Sequence, residues 1–135
     1  MPRLRVLIAD DHELFAETLG LSLAFDERVE VVGSAANGEE AVRGALELAP
    51  DAVLMDLEMP VLGGVGATRL LRRLLPACRV VVLTASLSAE DAQQARSAGA
   101  AAYLTKGCST DHVVEALLEV AETPVPLQST ASCAH

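Results

Sequence analysis

Five short runs of aliphatic residues, each followed by a segment of helix length, alternate down this chain, and no other feature limits its fold so severely. The pairs are LRVLIA with ELFAETLGLSLAF, VEVVGSA with GEEAVRGALELA, AVLM with VGATRLLRRLL, RVVVL with AEDAQQARSAG, and AAYLT with DHVVEALLEVAE. The apolar runs are continuous, as expected of parallel strands covered on both faces. Parallel neighbours need crossover helices, and right-handed crossovers build a doubly wound α/β sandwich.

Spacing and caps support the helices. Val113, Val114, Leu117 and Leu118 are expected to share one helical face, and Ala41, Val42, Ala45 and Leu46 another. Asn37 with Glu40, and Ser88 with Asp91, stand at capping-box spacing, while Gly99 is placed to end the fourth helix. With 51% hydrophobic but only 2% aromatic residues, the core must come from Val, Leu and Ala. A chain of 135 residues holds one such core, expected over residues 1–122. TPVPLQSTASCAH has two prolines and no periodicity, so residues 123–135 read as a flexible tail or the start of an interdomain linker.

A net charge of −9 opposes nucleic acid, which is bound by displacing phosphate counterions with Lys and Arg. No apolar run approaches the roughly 20 residues that cross a bilayer, and the N-terminus lacks a signal-peptide core, so a cytoplasmic location is expected. Cys78, Cys108 and Cys133 form no C-x-x-C pair and are read as free thiols.

In a parallel sheet the C-terminal strand ends share one edge, where ligands bind. Those ends carry Asp10 and Asp11 after strand one, Asp56 after strand three, Thr84 after strand four and Lys106 after strand five. A 2-1-3-4-5 strand order leaves the second strand at the margin and brings the acids together at the switch between strands one and three. Converging carboxylates repel by about 4 kcal/mol per pair at about 4 Å, so a cation belongs among them. Candidates are a hard divalent ion such as Mg²⁺ in oxygen ligands, and Lys106, the sole lysine against nine arginines. Together these groups could accept a phosphoryl group on Asp56, acting as nucleophile.

The motifs IADDHELF, LMDLEMP with Gly64 eight residues past the aspartate, VVLTAS and AAYLTK, in this order and spacing, resemble the receiver domain of two-component response regulators, the NarL/FixJ-like subfamily above all. The resemblance covers Leu4 to Glu122. It implies the flavodoxin-like receiver sandwich of order 2-1-3-4-5, with Asp56 phosphorylated by a sensor histidine kinase. It implies that Asp11, Asp56 and the Glu58 backbone carbonyl hold Mg²⁺ with Asp10 assisting, that Lys106 pairs with Asp56 and then with the phosphoryl group, and that Thr84 moves inward to bond it. Tyr103 would change rotamer with Thr84 and alter the surface of helix four, strand five and helix five. Ala85 fits the small position beside the phosphoryl group, while Glu58 and Ser86 would tune its lifetime. Gly63 stands where the family often has aspartate, and Gly107 where it has proline or aspartate. The subfamily further implies a homodimer formed on phosphorylation, and a C-terminal helix-turn-helix domain through which DNA would be bound.

Other readings compete. Asp10 and Asp11 could be a turn and a helix cap, Tyr103 a space-filling strand residue, and Lys106 a snorkelling side chain. A phosphohydrolase passing through an aspartyl phosphate would carry D-x-D after strand one and a cap domain; here D-x-E follows strand three. A flavin carrier would need a Ser/Thr-rich phosphate loop and aromatics. A pseudo-receiver that binds partners without phosphorylation would not need the full acid set.

Overall fold

The computed structural model describes residues 3–122; the expected tail at 123–135, with Cys133, lies outside them. Ten elements follow in alternation: β1 (Leu4–Ala9), α1 (Glu13–Leu23), β2 (Val29–Ala35), α2 (Gly38–Leu48), β3 (Ala52–Met55), α3 (Gly64–Leu74), β4 (Arg79–Thr84), α4 (Ala89–Ala98), β5 (Ala102–Thr105) and α5 (Thr110–Glu122). All pairings are parallel, as the crossover argument requires, and the order is β2-β1-β3-β4-β5, the one the family resemblance implies. No helix among the described residues is long and apolar enough to cross a membrane.

Alternate side chains of each central strand feed two cores. Val6, Ile8, Leu54, Val81 and Leu83 pack with Leu19 and Leu23 of α1 and with Val113, Val114 and Leu117 of α5. Leu7, Ala9, Val53, Met55, Val80 and Val82 meet Ala41, Val42 and Ala45 of α2, Ala67 and Leu71 of α3, and Ala95 of α4. The central strands are thus apolar on both faces, which is why they read as unbroken runs, while the edge strand β5 is only half-buried.

One face was misread. Leu46 is exposed, and Leu48 packs against the core in its place. At about 100° per residue, Leu46 is turned far from the centre of the Ala41–Ala45 stripe, whereas Leu48 returns to it.

Asn37 caps α2, its Oδ1 accepting from the Glu40 N–H at 2.8 Å, and Glu40 returns to the Ala36 N–H at 3.0 Å. Ser88 caps α4, accepting from the Asp91 N–H at 3.2 Å, but the Asp91 carboxylate does not close the box: it accepts from the Ser86 hydroxyl at 2.6 Å. Gly99 ends α4 with φ 107°. A Cβ on Gly64 would overlap the Asp56 carbonyl oxygen, so only glycine lets α3 start this close to the end of β3. Before it, Val61 holds φ 69°, a left-handed conformation that strains a β-branched residue.

Candidate functional site

The strand ends place their following residues along one edge of the sheet. Backbone bonds extend the ladder past the strands: Asp10 N–H donates to Ala35, Asp56 N–H to Ala9 and Lys106 N–H to Thr84, at 2.9, 2.9 and 2.8 Å. Asp10, Asp56 and Thr84 are buried, and Asp11 is exposed. Asp10, Asp11 and Asp56 each offer a carboxylate oxygen, and these oxygens lie within 4.8 Å of one another.

Lys106 reaches in from the end of β5. Its Nζ stands 2.7 Å from Asp10 Oδ2, 3.6 Å from Asp56 Oδ2 and 4.5 Å from the centroid of the Phe15 ring. The expected partner Asp56 is therefore the more distant of two. One ammonium faces three carboxylates, so net negative charge remains. Hard oxygen donors at this separation suit a hard divalent cation.

Main-chain donors hold the acids in place. His12 N–H donates to Asp10 Oδ1 at 2.8 Å, and Leu57 N–H to Asp56 Oδ1 at 2.9 Å. These bonds leave Asp56 Oδ2 turned toward Lys106. Burial pushes the Asp56 carboxyl above its usual range and the Asp10 charge adds to this; Lys106 and the N–H groups of Leu57 and Glu58 oppose it. Burial and the neighbouring negative charge both disfavour the ionised form of Asp56, and a cation placed beside it would offset both.

The remaining candidates lie around this centre. Thr84 Oγ1 accepts from the Ser86 N–H at 3.2 Å, and the Tyr103 hydroxyl donates to the Ser86 carbonyl at 3.3 Å. Ala85 is exposed, and the Glu58 side chain is exposed outside the carboxylate cluster. Gly63 precedes α3 with φ −72° and no side-chain cap, and a Cβ on Gly107 would meet nothing. Neither glycine is required by its conformation.

Sequence reasoning missed Phe15 and the N–H groups of His12 and Leu57. Phe15 is one of only two phenylalanines and follows Asp11 by four residues, the spacing of one helical face. That combination was the available signal. The backbone donors leave no trace in residue identity.

Response regulator receiver domains, taken as a family, match residues 6–118. Response regulator GacA of Pseudomonas aeruginosa is 42% identical over 117 residues, covering 87% of this chain and 55% of that protein. Transcriptional regulatory protein LnrK of Bacillus subtilis is 38% identical over 117 residues, 87% of this chain and 53% of that protein. The chain thus spans about half the length of the curated relatives it matches. Among solved structures, the signal receiver domain of the response regulator NarL from Mycobacterium tuberculosis superposes with a TM-score of 0.88 at 31% identity, covering 92% of this chain and all of that one.

Proposed function

The chain belongs to the family of response regulator receiver domains, and on that premise we propose that Asp56 is its phosphoacceptor, charged by a sensor histidine kinase. A receiver domain is a phosphoacceptor and signalling switch, the substrate of a kinase. The observation that carries the assignment is the cluster of Asp10, Asp11 and Asp56 with Lys106 2.7 Å from Asp10.

Asp56 Oδ2 attacks the phosphorus of a phosphohistidine. The new bond is an acyl phosphate O–P bond, the N–P bond breaks, and the imidazole leaves with the electron pair. The Asp56 carboxylate needs no proton removed before it attacks, so positioning and charge neutralisation are the protein's main contributions. Lys106 exchanges its carboxylate contacts for a phosphoryl oxygen, and the Thr84 hydroxyl donates to another. Asp11, Asp56 and the Glu58 backbone carbonyl, with Asp10 assisting, would hold Mg²⁺, which would supply further neutralisation of charge on the transferring oxygens. Ala85 leaves room for the group, while Glu58 and Ser86, at the mouth, set how readily water reaches it.

Thr84 leaves the Ser86 N–H as it turns inward, Tyr103 follows, and the α4–β5–α5 surface changes. The output is transcriptional control through a C-terminal helix-turn-helix domain joined after residues 1–122 by the segment 123–135, in a cytoplasmic regulator that dimerises when phosphorylated. The relatives' names support this reading, two of them response or transcriptional regulators about twice the length matched. A pseudo-receiver would have no use for a buried cluster of acids opposite a lysine, and that is the ground for setting it second.

Incubation with a small acyl phosphate and Mg²⁺, read by intact mass, tests the assignment. The expected result is one phosphoryl group per chain, absent in Asp56→Asn and nearly absent without Mg²⁺. Phosphoryl uptake by Asp56→Asn at the parent level would overturn it.

A further inference from the structure

Every polar group of Ser86 is engaged by a different part of the fold. Its N–H donates to the Thr84 hydroxyl at 3.2 Å, its carbonyl accepts from the Tyr103 hydroxyl at 3.3 Å, and its own hydroxyl donates to Asp91 Oδ2 at 2.6 Å. The same hydroxyl accepts from the Ser88 N–H at 3.1 Å. Asp91 sits in the first turn of α4, where its N–H is already held by the Ser88 cap. A short hydroxyl-to-carboxylate bond is charge-assisted and stronger than a neutral one. α4 buries only Ala95 and Ala98, so little apolar contact competes with that bond in fixing the helix.

We propose that Asp91 is a positioning residue: through Ser86 it clamps the start of α4 to the β4–α4 loop and keeps the Thr84 hydroxyl turned away from the phosphoacceptor. The inference rests on the reading of Asp56 as phosphoacceptor, and it adds an element outside the pocket. When Thr84 turns inward it abandons the Ser86 N–H, and the loop can follow only if the Ser86–Asp91 contact yields. The clamp thus favours the unphosphorylated arrangement and opposes phosphorylation.

Tyr103 is the only tyrosine and the chain has no tryptophan, so intrinsic emission reports on this junction alone. In Asp91→Ala, the amides of Ala89–Ala98 should exchange roughly three- to tenfold faster, the loss of about one hydrogen bond. Tyr103 emission of the unphosphorylated variant should move toward that of the phosphorylated parent, and uptake from a small acyl phosphate should accelerate by a similar factor. Asp91→Asn keeps an acceptor oxygen but loses the charge assistance, and should fall between the parent and Asp91→Ala. Combining Ser86→Ala with Asp91→Ala should add nothing to Ser86→Ala alone, which already removes both the bond to Asp91 and the acceptor of the Ser88 N–H. Parent-like emission and α4 exchange in Asp91→Ala would overturn the clamp, as would acceleration of exchange equally in all five helices, which marks general destabilisation. A parent that takes no phosphoryl group would instead overturn the role of Asp56, with exchange and emission of the unphosphorylated proteins still deciding for or against the clamp.

Discussion

The Lys106 ammonium lies 2.7 Å from the Asp10 carboxylate, closer than its 3.6 Å to Asp56. In the resting domain the lysine is chiefly the counterion of Asp10. It stands beside the proposed phosphoacceptor without being committed to it.

Lys106→Ala should therefore expose a repulsion between Asp10 and Asp56. A fully buried broken pair costs about 3–5 kcal/mol; with the pocket open to water on one side, about 2 kcal/mol is expected in urea unfolding at neutral pH. Added Mg²⁺ should recover part of that loss by binding only the folded acids. An unchanged urea midpoint would show that the acids do not need the lysine.

Asp56→Asn should stabilise the domain. Burial and the Asp10 charge raise the Asp56 carboxyl above its ordinary value of 3.8 in the folded state. For a carboxyl raised on folding, both states bind the proton below the unfolded pKa and ionisation costs nothing there. As pH rises through the folded pKa the folded state loses stability relative to the unfolded one. The variant should thus exceed the parent by roughly 1–3 kcal/mol at pH 7, and the two should converge near pH 3, as measured by urea midpoints across that range.

Phe15→Leu removes the ring beneath the lysine while keeping an apolar side chain on α1. A cation over an aromatic face contributes about 0.5–2 kcal/mol, so phosphoryl uptake from a small acyl phosphate should slow by roughly two- to thirtyfold. Thermal unfolding should change little by comparison. Equal rates for parent and variant would leave Phe15 as packing alone.

Gly64→Ala places a methyl group against the Asp56 carbonyl oxygen. Overpacking of this kind costs about 1–3 kcal/mol. Because the displaced atoms belong to Asp56 and Leu57, the variant should lose phosphoryl uptake more steeply than stability. Uptake at the parent rate, with stability reduced, would separate the helix contact from the site.

Strand positions were written in the sequence because unbroken runs such as VLIA and RVVVL must be covered on both sides, whereas the strand order rested on the resemblance to receiver domains. The gathering of Asp10, Asp11 and Asp56 followed from topology, since strand ends share an edge whatever their side chains do. What failed depended on distances of a few ångströms. Leu46 and Leu48 are equally apolar, and only the exact turn of α2 chooses between them. The preference of Lys106 for Asp10, and of Asp91 for Ser86 over its capping box, are choices among neighbours that spacing does not rank. Val61 offers no hint of φ 69°, because a valine is the last residue one expects there.

Two alanines are all that α4 sets into the core, against four larger side chains from α5. Compliance in this molecule therefore comes from thin packing, and no glycine pivot or proline kink is needed within that helix. A tug of one ångström at the acidic rim would be taken up by tilting α4 on the sheet, leaving strands and the opposite layer undisturbed. Replacing Ala95 by a bulkier aliphatic would make the same layer stiffer or would dislodge it. Either way the domain would forfeit its graded give.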